Sequence, residues 1–406
     1  TLISKPSRNE PAENEPAEQQ AAEKIVALRG KVARDKAGRV VAVDFSQSQA
    51  KDADLSLLAA FPTLATLTID GPSFTAKCTE PLAKLKSLTK LNVTNCGITD
   101  ESLAHLAGLT NLQRLSFFRT SLTGTGLKYL SGMQKLVLLD LRRTRVTSGL
   151  EHLAVLKGLK DLRFQESSLA DDELQHLTKL PRLASVALNG TAVTDGGLDY
   201  LAKIKTLRGV VLDNLDNVTA AGLKKLKGLP LTSLSLRNAS GIDDSAMVEI
   251  AGMKTLRTLR LTATGISDDG LAHVAGFADL RFIELRETGV TDAGLAHLKG
   301  LTKLEHIELY STGVSSAGLS RLKDLKELTE LNLDTTQVGD EGMVHLEGLR
   351  KLEKLNLSST EVTDKGLAHL HGLKNLKELK LNFLQIGDDA VAALQKALPK
   401  CKIVRG

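Results

Sequence analysis

Leucine returns to the same positions of this 406-residue chain at a spacing close to 24 residues. One copy shows the unit: Leu352, Leu355, Leu357, then Thr360, Val362-Thr363-Asp364, Gly366-Leu367, Leu370 and Gly372-Leu373. Copies open at Val40, Leu64, Leu88, Leu112, Leu136, Leu159, Leu183, Leu207, Leu231, Leu256, Leu280, Leu304, Leu328, Leu352 and Leu376, and a last strand is expected near Cys401 to Val404. The spacing shortens to about 23 before Leu159, lengthens to about 25 before Leu256, and shifts with compensation around Leu231. Such self-similarity marks a stacked repeat. One copy cannot bury its own leucines, whereas a stack makes a continuous core. Aromatics are only 3% of the chain and tryptophan is absent, as suits a thin core filled by leucine.

Each copy reads as a short strand, a turn and a short helix. The fourth and sixth positions alternate inward as a half-buried strand requires. Thr363-Asp364 supplies an oxygen to cap the helix start, and Leu367 and Leu370 share a helical face. Gly372 follows as a C-terminal breaker, and since Lys84, Lys179, Lys203 and Asp324 take its place in other copies, a left-handed backbone there is tolerated rather than obligatory. The ninth position is usually a small hydroxyl or thiol: Cys96, Thr120, Thr144, Ser167, Thr191, Thr264, Thr288, Thr312, Thr336 and Thr360. This column is read as structural, satisfying backbone groups where the strand turns away.

The pattern LxxLxLxxTxVTDxGLxxLxGL resembles the leucine-rich-repeat superfamily, near the cysteine-containing subclass found in F-box proteins and many bacterial repeat proteins. The closing Leu398-Pro399-Lys400-Cys401-Lys402-Ile403 is similar to the way bacterial members end. The resemblance implies an α/β fold, a right-handed solenoid or horseshoe of about 15 repeats, with a concave parallel sheet, short convex helices and a role in protein binding. It names no partner. Residues 1–39 match no F-box domain.

Residues 1–20 are expected to form a disordered acidic, Pro-rich tether. Residues 21–39 would hold a capping helix, with Ala21, Ile25, Leu28 and Val32 on one face to cover the open end at Val40, Val43 and Phe45. The repeat domain then runs from 40 to 406, with a C-terminal cap over 389–406 that begins as a longer helix. The chain opens on Thr1 rather than Met, which suggests a removed upstream segment and an exported or cell-envelope protein.

A net charge of +5 demands neither nucleic acid nor membrane. No apolar run approaches the roughly 18 residues a spanning helix needs. Cys78, Cys96 and Cys401 follow neither a disulfide framework nor a zinc spacing. Seven of the 9 histidines (His105, His152, His176, His273, His297, His345 and His369) fill one repeat slot that Tyr129 and Tyr200 fill elsewhere. A slot shared by His and Tyr is a packing position. No catalytic set, phosphate loop or cofactor motif emerges, so no enzyme, cofactor or resident metal is expected.

Function is therefore sought on the strand side. The third, fifth, seventh and eighth residues of each copy face away from the core. One patch collects Arg114, Phe118, Arg119, Arg142, Arg143 and Arg163, interrupted by Asp140 and Asp161. A second collects Phe282, Glu284, Arg286, Glu287, His306, Glu308, Tyr310, Glu330 and Asp334. Exposed rings and guanidiniums favour an interface. Glu284, His306, Glu308 and Glu330 lie on neighbouring strands where a metal could bridge them, but an open sheet rarely supplies the supporting shell. The basic residues are too interleaved with acids for nucleic acid. The expectation is a monomeric, non-enzymatic module binding a protein or peptide. The rivals are a carbohydrate or cell-wall binder on the same face, and a structural spacer. Loops between Asp213 and Asp244 break the pattern and are either a kink or a binding loop.

Overall fold

A computed structural model describes residues 15–406. The chain forms two compact units, one ending at Leu169 and one running from Ala170 to Gly406. The first begins with α1 (Glu15–Ala27) and β1 (Lys31–Arg34), followed by β2 (Val40–Asp44), β3 (Thr66–Asp70), β4 (Lys90–Thr94), β5 (Arg114–Ser116), β6 (Leu138–Asp140) and β7 (Asp161–Arg163). The second carries β8 (Ser185–Ala187), β9 (Gly209–Val211), β10 (Ser233–Ser235), β11 (Thr258–Arg260), β12 (Phe282–Glu284), β13 (His306–Glu308), β14 (Glu330–Asn332), β15 (Lys354–Asn356), β16 (Glu378–Lys380) and β17 (Lys402–Val404).

From β2 onward, consecutive strands within each unit pair in parallel, repeat position against repeat position: Lys90 faces Arg114, and Phe282 faces His306. The irregular spacings are absorbed outside the strands, since Leu138 still faces Asp161 and Ser233 still faces Thr258. The leucines of the lattice are buried, each stabilising the stack by about 1.5–3 kcal/mol.

The N-terminal end departs from the expected cap. The helix stops at Ala27, where Arg29 turns left-handed (φ 63°), and residues 31–34 are a strand, not helix. β1 pairs antiparallel with β2, placing Val32 against Val43, so a hairpin strand covers the edge that would otherwise invite pairing with another chain. Ala21 and Ile25 are buried as the periodicity predicts. Residues 15–20 of the expected tether lie in α1, while 1–14 lie outside the described residues.

The segments after β2 to β6 are 3-10 turns, among them Glu101–Leu106, Thr125–Leu130 and Leu150–Val155. The leucine spacing explains this. Leu103 and Leu106, or Leu127 and Leu130, are three apart, and three residues per turn puts both on the core side. In the second unit true α-helices appear, as at Asp195–Leu201 and Asp388–Ala397.

Two corrections concern turn chemistry. Gly372 is not left-handed. Its carbonyl accepts from Arg350 of the preceding copy at 2.6 Å, and a Cβ there would meet that guanidinium. The left-handed residue is instead the eighth of each copy, including Arg119, Arg143, Glu287, Ser359 and Phe383, with φ between 52° and 62°. Its N–H bonds the next copy beyond the strand, as Glu287 does to the Tyr310 carbonyl at 2.9 Å, so the ladder gains a step while the chain turns away.

The ninth-position hydroxyls do satisfy backbone, but within their own copy. Thr288 donates to the Leu285 carbonyl and Thr360 to that of Leu357, each at 2.6 Å. Ser167 alone of the buried hydroxyls in this column leaves its Oγ unpartnered. Cys96 lies against Cys78, both buried free thiols. The Cys78 thiol donates to Cys96, which raises Cys78 above and lowers Cys96 below the ordinary thiol range.

Candidate functional site

On the strand side of the second unit, the pleat turns the third, fifth and seventh positions of each copy outward, and parallel pairing sets like positions side by side about 4.8 Å apart. Phe282 and His306 therefore meet as a tilted pair across β12 and β13, with centroids 4.5 Å apart and ring planes at 45°. The Arg260 guanidinium covers the other side of Phe282 at 4.8 Å, and Arg286 lies over Tyr310 at 5.1 Å. Stacked guanidiniums of this kind contribute about 0.5–1 kcal/mol each at exposed sites. They also hold the rings upright and half-exposed.

Apart from Glu287, the carboxylates of this patch are committed to neighbours. Glu284 is only 6% exposed, takes the Thr262 hydroxyl at 2.6 Å and pairs with Arg260, so it braces the patch from beneath rather than facing solvent. His306 sits between Glu308, 2.7 Å from Nε2, and Glu330, 3.2 Å from Nδ1. The two acids occupy opposite ring nitrogens and do not converge on one point, so the set that suggested a metal is a hydrogen-bonded string. Burial pushes the Glu308 carboxyl up, but hydrogen bonds from His306 and Asn332 outweigh it and hold the group below the usual carboxylate range. Lys354 completes the string on Glu330 at 2.7 Å. Glu287 is exposed at its left-handed position, and Asp334 bonds Thr335 and Asn356.

In the first unit the arginine patch also assembles. Arg142 and Arg143 approach Phe118 at 5.1 and 5.6 Å. The interrupting acids belong to particular arginines: Asp140 pairs with Arg142, Asp161 with Arg163, and Glu166 with Arg143. Asp140 raises the already high Arg142 pKa. Arg114 and Arg119 are exposed.

The comparisons now bear on this architecture. A model of the Leucine Rich repeat family matches residues 84–107, 326–346 and 348–370. Similar solved structures are an internalin from Listeria monocytogenes (23% identity, 75% of this chain and 88% of that one, TM-score 0.58) and a Leptospira interrogans leucine-rich-repeat protein (19% identity, 99% and 100%, TM-score 0.59). A third is the mouse RP105/MD-1 complex (15% identity, 86% and 69%, TM-score 0.55). No curated protein sequence matches the chain. The fold is a leucine-rich-repeat solenoid.

Within this leucine-rich-repeat frame the histidine slot lies on the helical side. His105 bonds the Thr79 hydroxyl at 3.0 Å and His369 bonds Glu347 at 2.6 Å. The loops over 213–244 are knitted together rather than open: Ser240 donates to Asp216, Asn238 to Asn214, and buried Leu215 and Ala239 replace the hydroxyl column. Three strand-side features escaped sequence reasoning. Lys90 stands directly beside Arg114. Arg260 and Lys354 complete the second patch. Phe383 is 81% exposed. All occupy third, fifth or eighth positions, so the repeat register itself was the available signal. Among the described residues no helix is long and apolar enough to cross a membrane.

Proposed function

We propose that this leucine-rich-repeat chain is a non-enzymatic interaction module that binds a protein or peptide on the strand face of its repeats. One observation carries the reading: rings and guanidiniums on and just after β11 to β13 are stacked in pairs and left half-exposed, with Arg286 Nε lacking an acceptor. Interfaces concentrate their energy in such rigid Tyr, Phe and Arg anchors, and bracing by neighbours lowers the entropic cost of ordering them on binding. The fold itself occurs in interaction proteins, the RP105/MD-1 complex among its structural neighbours. The ninth-position Cys96 and the Thr-Asp-x-Gly-Leu turn support an assignment near the cysteine-containing subclass.

The test is a proteome pull-down set against a glycan array, with Phe282, Arg286 and Tyr310 all replaced by alanine. Loss of a captured protein partner in the variant supports the reading. Capture of glycan alone favours the carbohydrate reading, and undiminished protein capture refutes the placement.

A further inference from the structure

The first unit's strand face carries three cations with no ion pair among the described residues, Lys90, Arg114 and Arg119. Lys90 and Arg114 are register partners on β4 and β5, both exposed. Among the described residues neither forms an ion pair, whereas Arg142, Arg143 and Arg163 each own a carboxylate. Like charges directly opposite on adjacent strands destabilise a sheet, so this pair works against folding. The pair lines an open depression of about 340 Å³ with Thr68, Asn92 and Ser116, walled by Phe118, Arg163 and the Arg142–Asp140 ion pair.

We infer that this depression receives a carboxylate-rich peptide segment of the partner, an extension of the protein-binding reading above. Carboxylates would sit on Lys90 and Arg114, relieving their repulsion, beside side chains that already satisfy one another, Asn92 donating to Thr68 and Ser116 to Asp140. A nucleic acid fits worse. Tracking a phosphate backbone takes a run of cations, and here Arg142, Arg143 and Arg163 are already neutralised by Asp140, Glu166 and Asp161. A small phosphate ion also fits worse, because the strand N–H groups that cradle such ions elsewhere are spent in the parallel ladder.

The experiment titrates fluorescein-labelled hexaglutamate into the intact protein, with hexaglutamine and an oligothymidylate as parallel probes and inorganic phosphate as competitor. Hexaglutamate is expected to bind, weakening about tenfold or more when salt rises from about 0.05 to 0.5 M, because screening shortens the reach of these exposed charges. The double variant Lys90→Gln/Arg114→Gln is expected to lose at least about tenfold in affinity with an unchanged or higher Tm, since it removes only repulsion. No hexaglutamate binding, equal binding to the variant, equal binding of hexaglutamine, tighter binding of oligothymidylate, or displacement by equimolar phosphate would each overturn the inference. Partner capture that still depends on Phe282, Arg286 and Tyr310 while hexaglutamate fails would sink this inference alone. The converse would sink only the earlier placement.

Discussion

The carboxylate of Asp340 takes both the backbone N–H and the hydroxyl of Thr363 in the next copy, at 2.7 and 2.6 Å. It also receives the Gly366 N–H at 2.9 Å. The same bridge joins Asp195 to Thr219, Asp244 to Ser267, Asp268 to Thr291 and Asp292 to Ser315. The Thr-Asp pair of the repeat is thus a cap and a clamp together: its threonine caps its own helix and its aspartate holds the following copy.

Replacing Asp340 by alanine leaves those donors without their charged acceptor. Hydrogen bonds to charged groups contribute about 1.5–3 kcal/mol each, less where solvent can replace the acceptor, so a loss of about 2 kcal/mol is expected. Urea unfolding measures it, and amide exchange should quicken first at Thr363 and Gly366. A loss below about 0.5 kcal/mol would deny the clamp its role.

Two glycines of one copy should respond differently to alanine. A Cβ on Gly366 would lie 2.5 Å from Asp340 Oδ1 and 3.0 Å from Met343 and Val362 side chains, and overpacking of that kind costs about 1–3 kcal/mol. A Cβ on Gly372 meets only the movable end of Arg350. Gly372→Ala should therefore change stability by less than about 0.5 kcal/mol, as surface substitutions do. Paired thermal melts decide, and equal losses would contradict the geometry.

Acid should loosen the stack through the clamp aspartates. Asp100 is buried; burial raises its pKa, but donors from Thr123, Gly124 and Gly126 prevail and hold it below the usual range. Asp340 is lowered in the same way. A carboxylate whose folded pKa lies below its unfolded value of about 3.9 lends stability that is complete above that value and lost as pH falls through the folded one. Stability should thus hold from about pH 7 to 5 and fall below about 4. Asp100→Asn should be less stable at neutral pH yet show a shallower acid limb. Urea midpoints across that range test this.

Phe383 is left-handed (φ 62°) and 81% exposed. A left-handed residue with a Cβ costs roughly 1–2 kcal/mol, and asparagine tolerates the region better. Phe383→Asn should raise stability by up to about 1 kcal/mol, read from the Tm, and a fall would show that the ring packs in solution.

How much of this was legible depends on whether the signal lies within one copy or between two. The leucine period placed the core and the strand register, hence the faces bearing Phe282, Arg286 and Tyr310. The clamp was hidden because Asp340 and Thr363 are a full copy apart and each already has a local explanation. The left-handed eighth position was masked by its residue types, since Arg119, Glu287 and Phe383 are not residues that favour it. Lys31–Arg34 lacks the alternation that announces a strand, and only pairing with β2 makes it one. The uncompensated state of Lys90 is a property of its neighbours and not of its own segment.

The central claim is that the strand-face stacks serve recognition while the lattice beneath them serves folding. The most direct measurement is a calorimetric titration of the captured partner into the wild type and into the chain with Phe282, Arg286 and Tyr310 replaced by alanine, with Tm recorded for both. The account predicts a loss of affinity of at least about a hundredfold, as for hot-spot anchors worth about 2 kcal/mol or more, with a nearly unchanged Tm. Equal affinities, or a collapse of Tm that accounts for the lost binding, would contradict it.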